Sequence, residues 1–310
     1  MTQPRDSLDF RASSAGWLDK KNLVGRQVEQ LVVAQPQIDA AALAKSSVVV
    51  QGLSAYEYIL FDSNINLADD AQKARYCPLL TAIGERQKQL AEEILASWNS
   101  TDGMLAQMSK FPNQRYADSH EAIADVLRVQ VTALDTLKKK LGTPMGRQSK
   151  GIPQPFQADA WRSESSLKSL AASLAAAQTV WAGVDNKGLR SLLPAEQKPL
   201  ADKIDAAYAT SLKLFNDNQR TLNELLADDA GRAQLNAIYD SLNVVHRLHE
   251  GELAKALGIQ LGFNANDGDG QRRVVDDVMA ALADPGAEHL GAIESIADCK
   301  VIAVCIVAGT

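Results

Sequence analysis

Apolar side chains recur at three- and four-residue steps, or sums of such steps, through most of residues 69–257. A chain with that period must bury one stripe of each of several helices. Leu80, Ile83, Leu90, Ile94 and Trp98 form the first stripe, behind Asp69 and Asp70 at the place of an N-cap, and Asn99 to Gly103 ends it. Asp118-Ser119-His120-Glu121 has the spacing of a capping box, in which acidic side chains answer the amides that a first turn leaves unpaired. The helix it opens carries Ile123, Leu127, Leu134, Leu137 and Leu141 on one face. A second set follows. Asp159 to Trp181 carries Leu167, Leu170, Leu174 and Trp181. Pro194 opens a long segment through Leu200, Ile204, Tyr208, Leu212, Phe215, Leu222 and Leu225. Asp229 to Leu257 carries Leu235, Ile238, Leu242, Val245, Leu248 and Leu253, with Gly258 placed to stop it.

Between Gly142 and Gln157 fall two further glycines and three prolines, with Arg147 and Lys150 among them. No helix runs through such a stretch, because proline lacks the amide donor and clashes with the preceding turn. It reads as a junction between a first bundle, residues 1–145, and a second, residues 156–270, with a tail over 271–310. Two short runs depart from helical period, Val48-Val49-Val50 and Val301 to Val307, and a single strand makes no sheet. The expected fold is all-α, two antiparallel helical bundles joined by short loops. A composition rich in Ala and Leu, with aromatics at 5%, agrees with it.

Several functions are excluded at this level. The formal net charge of −6 speaks against nucleic-acid binding, which needs a basic face. No apolar run reaches the length of a membrane-spanning helix. Cys77, Cys299 and Cys305 form neither a CxxC pair nor a disulfide framework. His120-Glu121 begins like a zinc helix, but Ala124 stands where the second ligand is needed, so the pair reads as first-turn residues. His246 and His249, one turn apart, read as a solvated helix face beside Glu250 and Glu252. Ser54 lacks a nearby His-Asp pair and does not sit in a GxSxG elbow, so it does not read as a nucleophile. Glu57 is set apart: Tyr56, Tyr58, Ile59, Leu60 and Phe61 surround it, an expensive place for a carboxylate without a partner. An arginine or a hydroxyl holding it would be structural or functional with equal ease. Ser54, three residues earlier, shares its helix face.

Gly52-Leu53-Ser54-Ala55-Tyr56-Glu57 resembles the GxHxxE motif of imelysin-like proteins, a bacterial cell-envelope family of two helical bundles. Three further segments fall in the family's order. Asp159-Ala160-Trp161-Arg162-Ser163 is similar to its Trp-Arg-Ser segment, and Leu189 with Leu192-Leu193-Pro194 occupies its usual loop. Leu261 to Asp269 is similar to its closing Gly-Phe-Asn-x-x-Asp-Gly-Asp motif. The resemblance spans roughly Trp17 to Gly270. It implies a metallopeptidase or an iron-uptake protein of the periplasm, with the His and Glu of GxHxxE as metal ligands. Here Ser54 replaces that histidine, and a neutral hydroxyl is a poor ligand for zinc or ferrous iron.

The resemblance therefore implies a degenerate relative, more in keeping with binding than with peptidase activity. Its cleft would be lined by Ser54, Glu57, Trp161, Arg162, Ser163, Asn264, Asp267 and Asp269. Arg162 is suited to pair with Glu57 or to hold an anion. Glu57 is the one candidate ligand for iron or another divalent cation, a grip weakened by the missing histidine. The implied partners are a metal ion or small ligand and other envelope iron-uptake proteins. The implied location is the cell envelope or periplasm, although no signal peptide precedes the first helix and the first bundle reads as truncated at its start. The alternatives are an imelysin-type metallopeptidase recruiting His246 or His249, and a structural helical module.

Overall fold

The computed structural model describes residues 22–261. The chain forms α1 (Leu23–Ala34), a short α2 (Ala40–Leu43), α3 (Leu53–Phe61) and the long α4 (Asp70–Asn99). There follow α5 (Met104–Ser109), α6 (Ser119–Gly142), α7 (Ser166–Ala182), α8 (Lys198–Asn216) and α9 (Leu222–Leu226). The last long helix, α10 (Asp229–Arg247), continues through a π-helical turn (Leu248–Leu253) into α11 (Ala254–Ala256). No strand is present among the described residues, and no helix there is long and apolar enough to cross a membrane. The all-α expectation holds. Val48–Val50 is a single 3₁₀ turn leading to α3.

The helix starts follow the local chemistry. Asp69 accepts a hydrogen bond from the Gln72 amide (2.9 Å) and Asp118 one from the Glu121 amide (3.0 Å), while Glu121 reaches back to the Ala117 amide (2.7 Å). Each such cap is worth about 1 kcal/mol. At the far end, Gly258 adopts a left-handed φ of 67°, which any side chain would resist, and the helix stops.

Two expected helices are cut differently. The segment from Asp159 begins its helix only at Ser166, because Ala160 and Glu164 take left-handed φ values of 52° and 55° and fold residues 159–165 into a tight turn. The segment from Pro194 to Leu225 is broken after Asn216. Thr221 and Glu224 form a reciprocal capping box that starts α9 afresh.

The apolar cores divide the described chain elsewhere than at Gly142–Gln157. One core joins α1, α2, α3 and the first half of α4 around Val28, Leu43, Ile59, Leu79 and Ile83. The other takes in α5 and α6 with everything from α7 to Ile259. Within it α6 packs on α7 and α10, and α8 on the same two, closing a four-helix ring. The prolines and glycines interrupt a helix, but they do not decide which core its flanks join. That is decided by the face of α6, where Leu127, Val131, Leu134, Leu137 and Leu141 are all buried.

His246 and His249 also depart from the expected solvated face: both are buried, at 6% and 0% exposure. They fall on the inner side of α10 and its π turn, in register with Leu242 and Val245.

Candidate functional site

The two cores meet where α3 faces the 159–165 turn. Helix α3, with Gly52 as its N-cap, buries Ala55, Tyr58 and Ile59, and leaves Ser54 and Glu57 half-buried on another face. Glu57 Oε1 accepts two hydrogen bonds from Ser163, from its amide and from its hydroxyl, each 2.8 Å. Glu57 is thus held by a hydroxyl and a backbone amide from the other half of the molecule. Its second oxygen, Oε2, accepts no hydrogen bond among the described residues, nor does the Ser54 hydroxyl make one.

Arg162 does not pair with Glu57. Its Nε donates to Asp62 Oδ2 (3.1 Å) and its Nη2 to Asn22 Oδ1 (2.9 Å). The guanidinium also lies 4.4 Å from the Trp161 ring centre and 5.0 Å from that of Tyr58, close enough for cation–π attraction. With side-chain exposures of 5% and 12%, Arg162 and Asp62 are an enclosed pair. Burial raises the cost of charging Asp62. The Asn64 amide and the Arg162 guanidinium outweigh that cost and hold its carboxyl below the usual range.

A second carboxylate lies behind this pair. Glu29 of α1 accepts from the hydroxyls of Tyr76 (2.6 Å) and Tyr58 (3.2 Å) on one oxygen and pairs with Arg75 (2.6 Å) on the other. Burial, then the hydrogen bond to Glu29, push the Tyr76 phenol up to about 12. Burial and the charges of Glu29 and Asp62 push Tyr58 up as well. Both phenols therefore stay protonated and remain donors.

The backbone around Arg162 is held under strain. Ala160 and Glu164 flank Trp161-Arg162-Ser163 in the left-handed region, as Asn22 does (φ 50°). Such conformations cost of order 1 kcal/mol or more at non-glycine residues. The surroundings pin this turn: the Ser165 amide donates to the Ala160 carbonyl (3.1 Å), and Ser166 Oγ donates to that of Asp159. Trp161 stacks edge-on against Phe156 at 4.9 Å, and its indole N–H is buried without an acceptor among the described residues.

Of the expected site residues, then, Glu57, Trp161, Arg162 and Ser163 come to one seam, and Ser54 is half-buried on α3 three residues before Glu57. Asn264, Asp267 and Asp269 lie outside the described residues. Asp62, Asn22, Tyr58 and Glu29 were not singled out from the sequence. Asp62 carried a usable signal: it caps the C-terminus of α3, where the helix dipole disfavours an acid unless a cation answers it.

The donor set does not suit a transition metal. Ser54 offers a neutral hydroxyl, Glu57 one free oxygen, and Asp62 is committed to Arg162. No group of three His, Cys, Asp or Glu side chains stands ready to hold a metal ion among the described residues. The histidines do not repair this. His249 donates from Nδ1 to the Val245 carbonyl (2.9 Å), and its Nε2 faces the Tyr208 hydroxyl (3.3 Å). His246 Nδ1 faces the Lys138 ammonium at 3.0 Å and must accept from it.

Residues 3–249 match the family model described as Imelysin. The fold is also similar to the crystal structure of an imelysin-like protein from Psychrobacter arcticum 273-4. That match has a TM-score of 0.57 at 22% identity and covers 84% of this chain and 75% of the other. No curated protein matches the chain.

Proposed function

Because the chain belongs to the imelysin family, we propose that it is a non-catalytic cell-envelope protein linked to iron acquisition, binding a small ligand or cation at the seam of its two cores. One observation carries the site: Glu57 is fixed through one oxygen by Ser163, while its other oxygen has no hydrogen-bond partner among the described residues, nor has the hydroxyl of Ser54 one turn earlier on the same helix. A carboxylate oriented by a neighbouring element, with half its acceptor capacity unused, is prepared for a donor that the protein does not supply. An ammonium, an amide N–H or a hard cation has the complementary chemistry. The links to the envelope and to iron rest on the family alone.

Peptidase action has less support. A zinc-activated water needs several strong ligands and an open position, and Ser54 stands where the motif has histidine. His246 and His249 are buried and engaged elsewhere. Purified protein is expected to leave a denatured protein substrate intact. Cleavage that a chelator abolishes would reverse this reading.

The site is tested by calorimetry of wild type and Glu57→Ala against Fe²⁺, Zn²⁺, Ca²⁺ and ethanolamine. At least one titrant is expected to bind the wild type and to lose most of its affinity in the variant. Identical isotherms for all four would remove Glu57 from the site.

A further inference from the structure

Away from the seam, the turn after α6 folds against α9 and α10 and leaves a recess of about 260 Å³. Met145, Leu226 and Leu235 supply apolar surface to it, and Arg147, Arg232 and Asn236 supply polar groups. No carboxylate is among the residues lining it. Two guanidiniums at one small recess, in a protein whose net charge is −6, are a local reversal of sign.

Both arginines are held in place by neighbours that use only part of their donor capacity. The Arg147 guanidinium carbon lies over the Tyr239 ring, 3.6 Å from its centre, and its Nη2 donates to Asn236 Oδ1 (2.9 Å). Arg232 donates from Nη1 to the Leu226 carbonyl (2.7 Å) and pairs through Nη2 with Asp229. That leaves Nε and Nη1 of Arg147 and Nε of Arg232 without a hydrogen-bond partner among the described residues.

The acids that pair with these arginines, Asp229 and Asp240, lie in solvent, the Arg147–Asp240 separation is a loose 3.9 Å, and Asp228, on which the Arg232 charge also acts, is itself paired with Arg220. The turn carrying Arg147 is fixed by Gly146. Its left-handed φ of 81° brings its Cα so close to the Ile152 carbonyl that a Cβ would lie 2.1 Å from that oxygen. Planar forks held by stacking and hydrogen bonds lose little freedom when they take up an oxyanion, which favours arginine over lysine in this role.

We propose that this recess binds a small oxyanion, a phosphate or short-chain carboxylate group, between Arg147 and Arg232. The charged oxygens take the free guanidinium N–H groups, and any short apolar part lies on Met145, Leu226 and Leu235. The site is separate from Glu57 and does not depend on the proposed function of the seam.

The test is calorimetric titration of the full chain with inorganic phosphate and with butyrate in low-salt buffer. At least one should bind with a dissociation constant of about 1 mM or tighter. Arg147→Ala and Arg232→Ala should each weaken it roughly tenfold, and Arg147→Lys by less. Asp229→Asn, which releases Arg232 from its competitor, should tighten binding, a gain that no misfolded variant produces. Glu57→Ala should leave the affinity unchanged. Preference for phosphate would mark the charge as dominant, and preference for butyrate would mark the apolar surface as a participant. Absence of saturation by either probe up to about 10 mM, or alanine variants that bind as the wild type does, would overturn the proposal.

Discussion

The seam around Glu57 and the interior of the four-helix ring both enclose polar side chains between helices, but they are finished differently. In the ring, Gln130 donates to the Ala177 carbonyl (2.7 Å) and to the Tyr208 hydroxyl (2.8 Å), which faces His249 Nε2. Trp181 and Tyr208 pack edge-on against the His249 ring at 5.6 and 5.5 Å. These groups answer one another, and only the Ser211 hydroxyl on α8 is buried in the ring without a hydrogen-bond partner among the described residues. At the seam the inner pairs are equally complete, Asp62 with Arg162 and Glu29 with two tyrosines and Arg75, yet one oxygen of Glu57 has no partner among the described residues. A histidine in a helical core, even beside a π turn, is thus no sign of chemistry by itself. An anchored but half-used carboxylate is the better sign.

The strongest break in the comparison is Arg162→Ala. It leaves the enclosed Asp62 carboxylate without its cation and unstacks Trp161 and Tyr58, and it should cost about 4 kcal/mol in a denaturant titration. A cost near that of an exposed pair such as Lys213–Asp217, at most about 1 kcal/mol, would mean that the seam is looser than described.

The ring should respond to acid. Burial first, opposed only by the Val245 carbonyl, lowers the His249 pKa to about 4. The unfolded chain protonates this side chain as pH falls through about 6.5, while the folded chain resists protonation. Stability from His249 is therefore complete above that pH and is lost on the way down to about 4, by roughly 3 kcal/mol. Burial and the Lys138 charge lower His246 in the same direction. Chemical denaturation across this window should show the loss, and His249→Gln should flatten it.

A smaller effect is expected for Tyr208→Phe, which leaves His249 Nε2 without a donor while Gln130 keeps its Ala177 partner. About 1.5 kcal/mol is expected, measurable as a shifted melting temperature. Ser163→Ala should cost about 1 kcal/mol at the seam. Glu57→Gln should stay within roughly 0.5 kcal/mol of the wild type in the same melts. That last pair separates a residue that ties the two halves together from one whose open oxygen has no structural task.

Much of this was readable locally. Asp69, Asp118 and Gly258 mark helix ends because capping depends on residues within one turn. The ladder from Leu235 to Leu253 marks α10 because burial follows its period. At the seam, Glu57 and Ser54 stood out by an apolar setting and a shared helix face, whereas Trp161 to Ser163 were brought in by family motif. What stayed hidden depends on distant partners. Arg162 chooses an aspartate 100 residues away over Glu57, and the left-handed turn at Ala160 and Glu164 carries no glycine or proline to announce it. His249 looked solvated because its neighbours are charged. Its position four residues after Val245 and seven after Leu242 placed it on the buried ladder. The division of the cores was hidden as well, since which bundle α6 joins is a matter of facing surfaces rather than of linker composition.

Glu57 presents at the seam a carboxylate oxygen with no partner among the described residues, one helical turn from position 54. Equilibrium dialysis of zinc against Ser54→His tests it most directly, with Ser54→His/Glu57→Ala as the companion. One zinc per chain should be taken up beyond the wild-type level by the single variant, and that uptake should disappear in the double variant. No gain from the histidine, or a gain indifferent to Glu57, would contradict it.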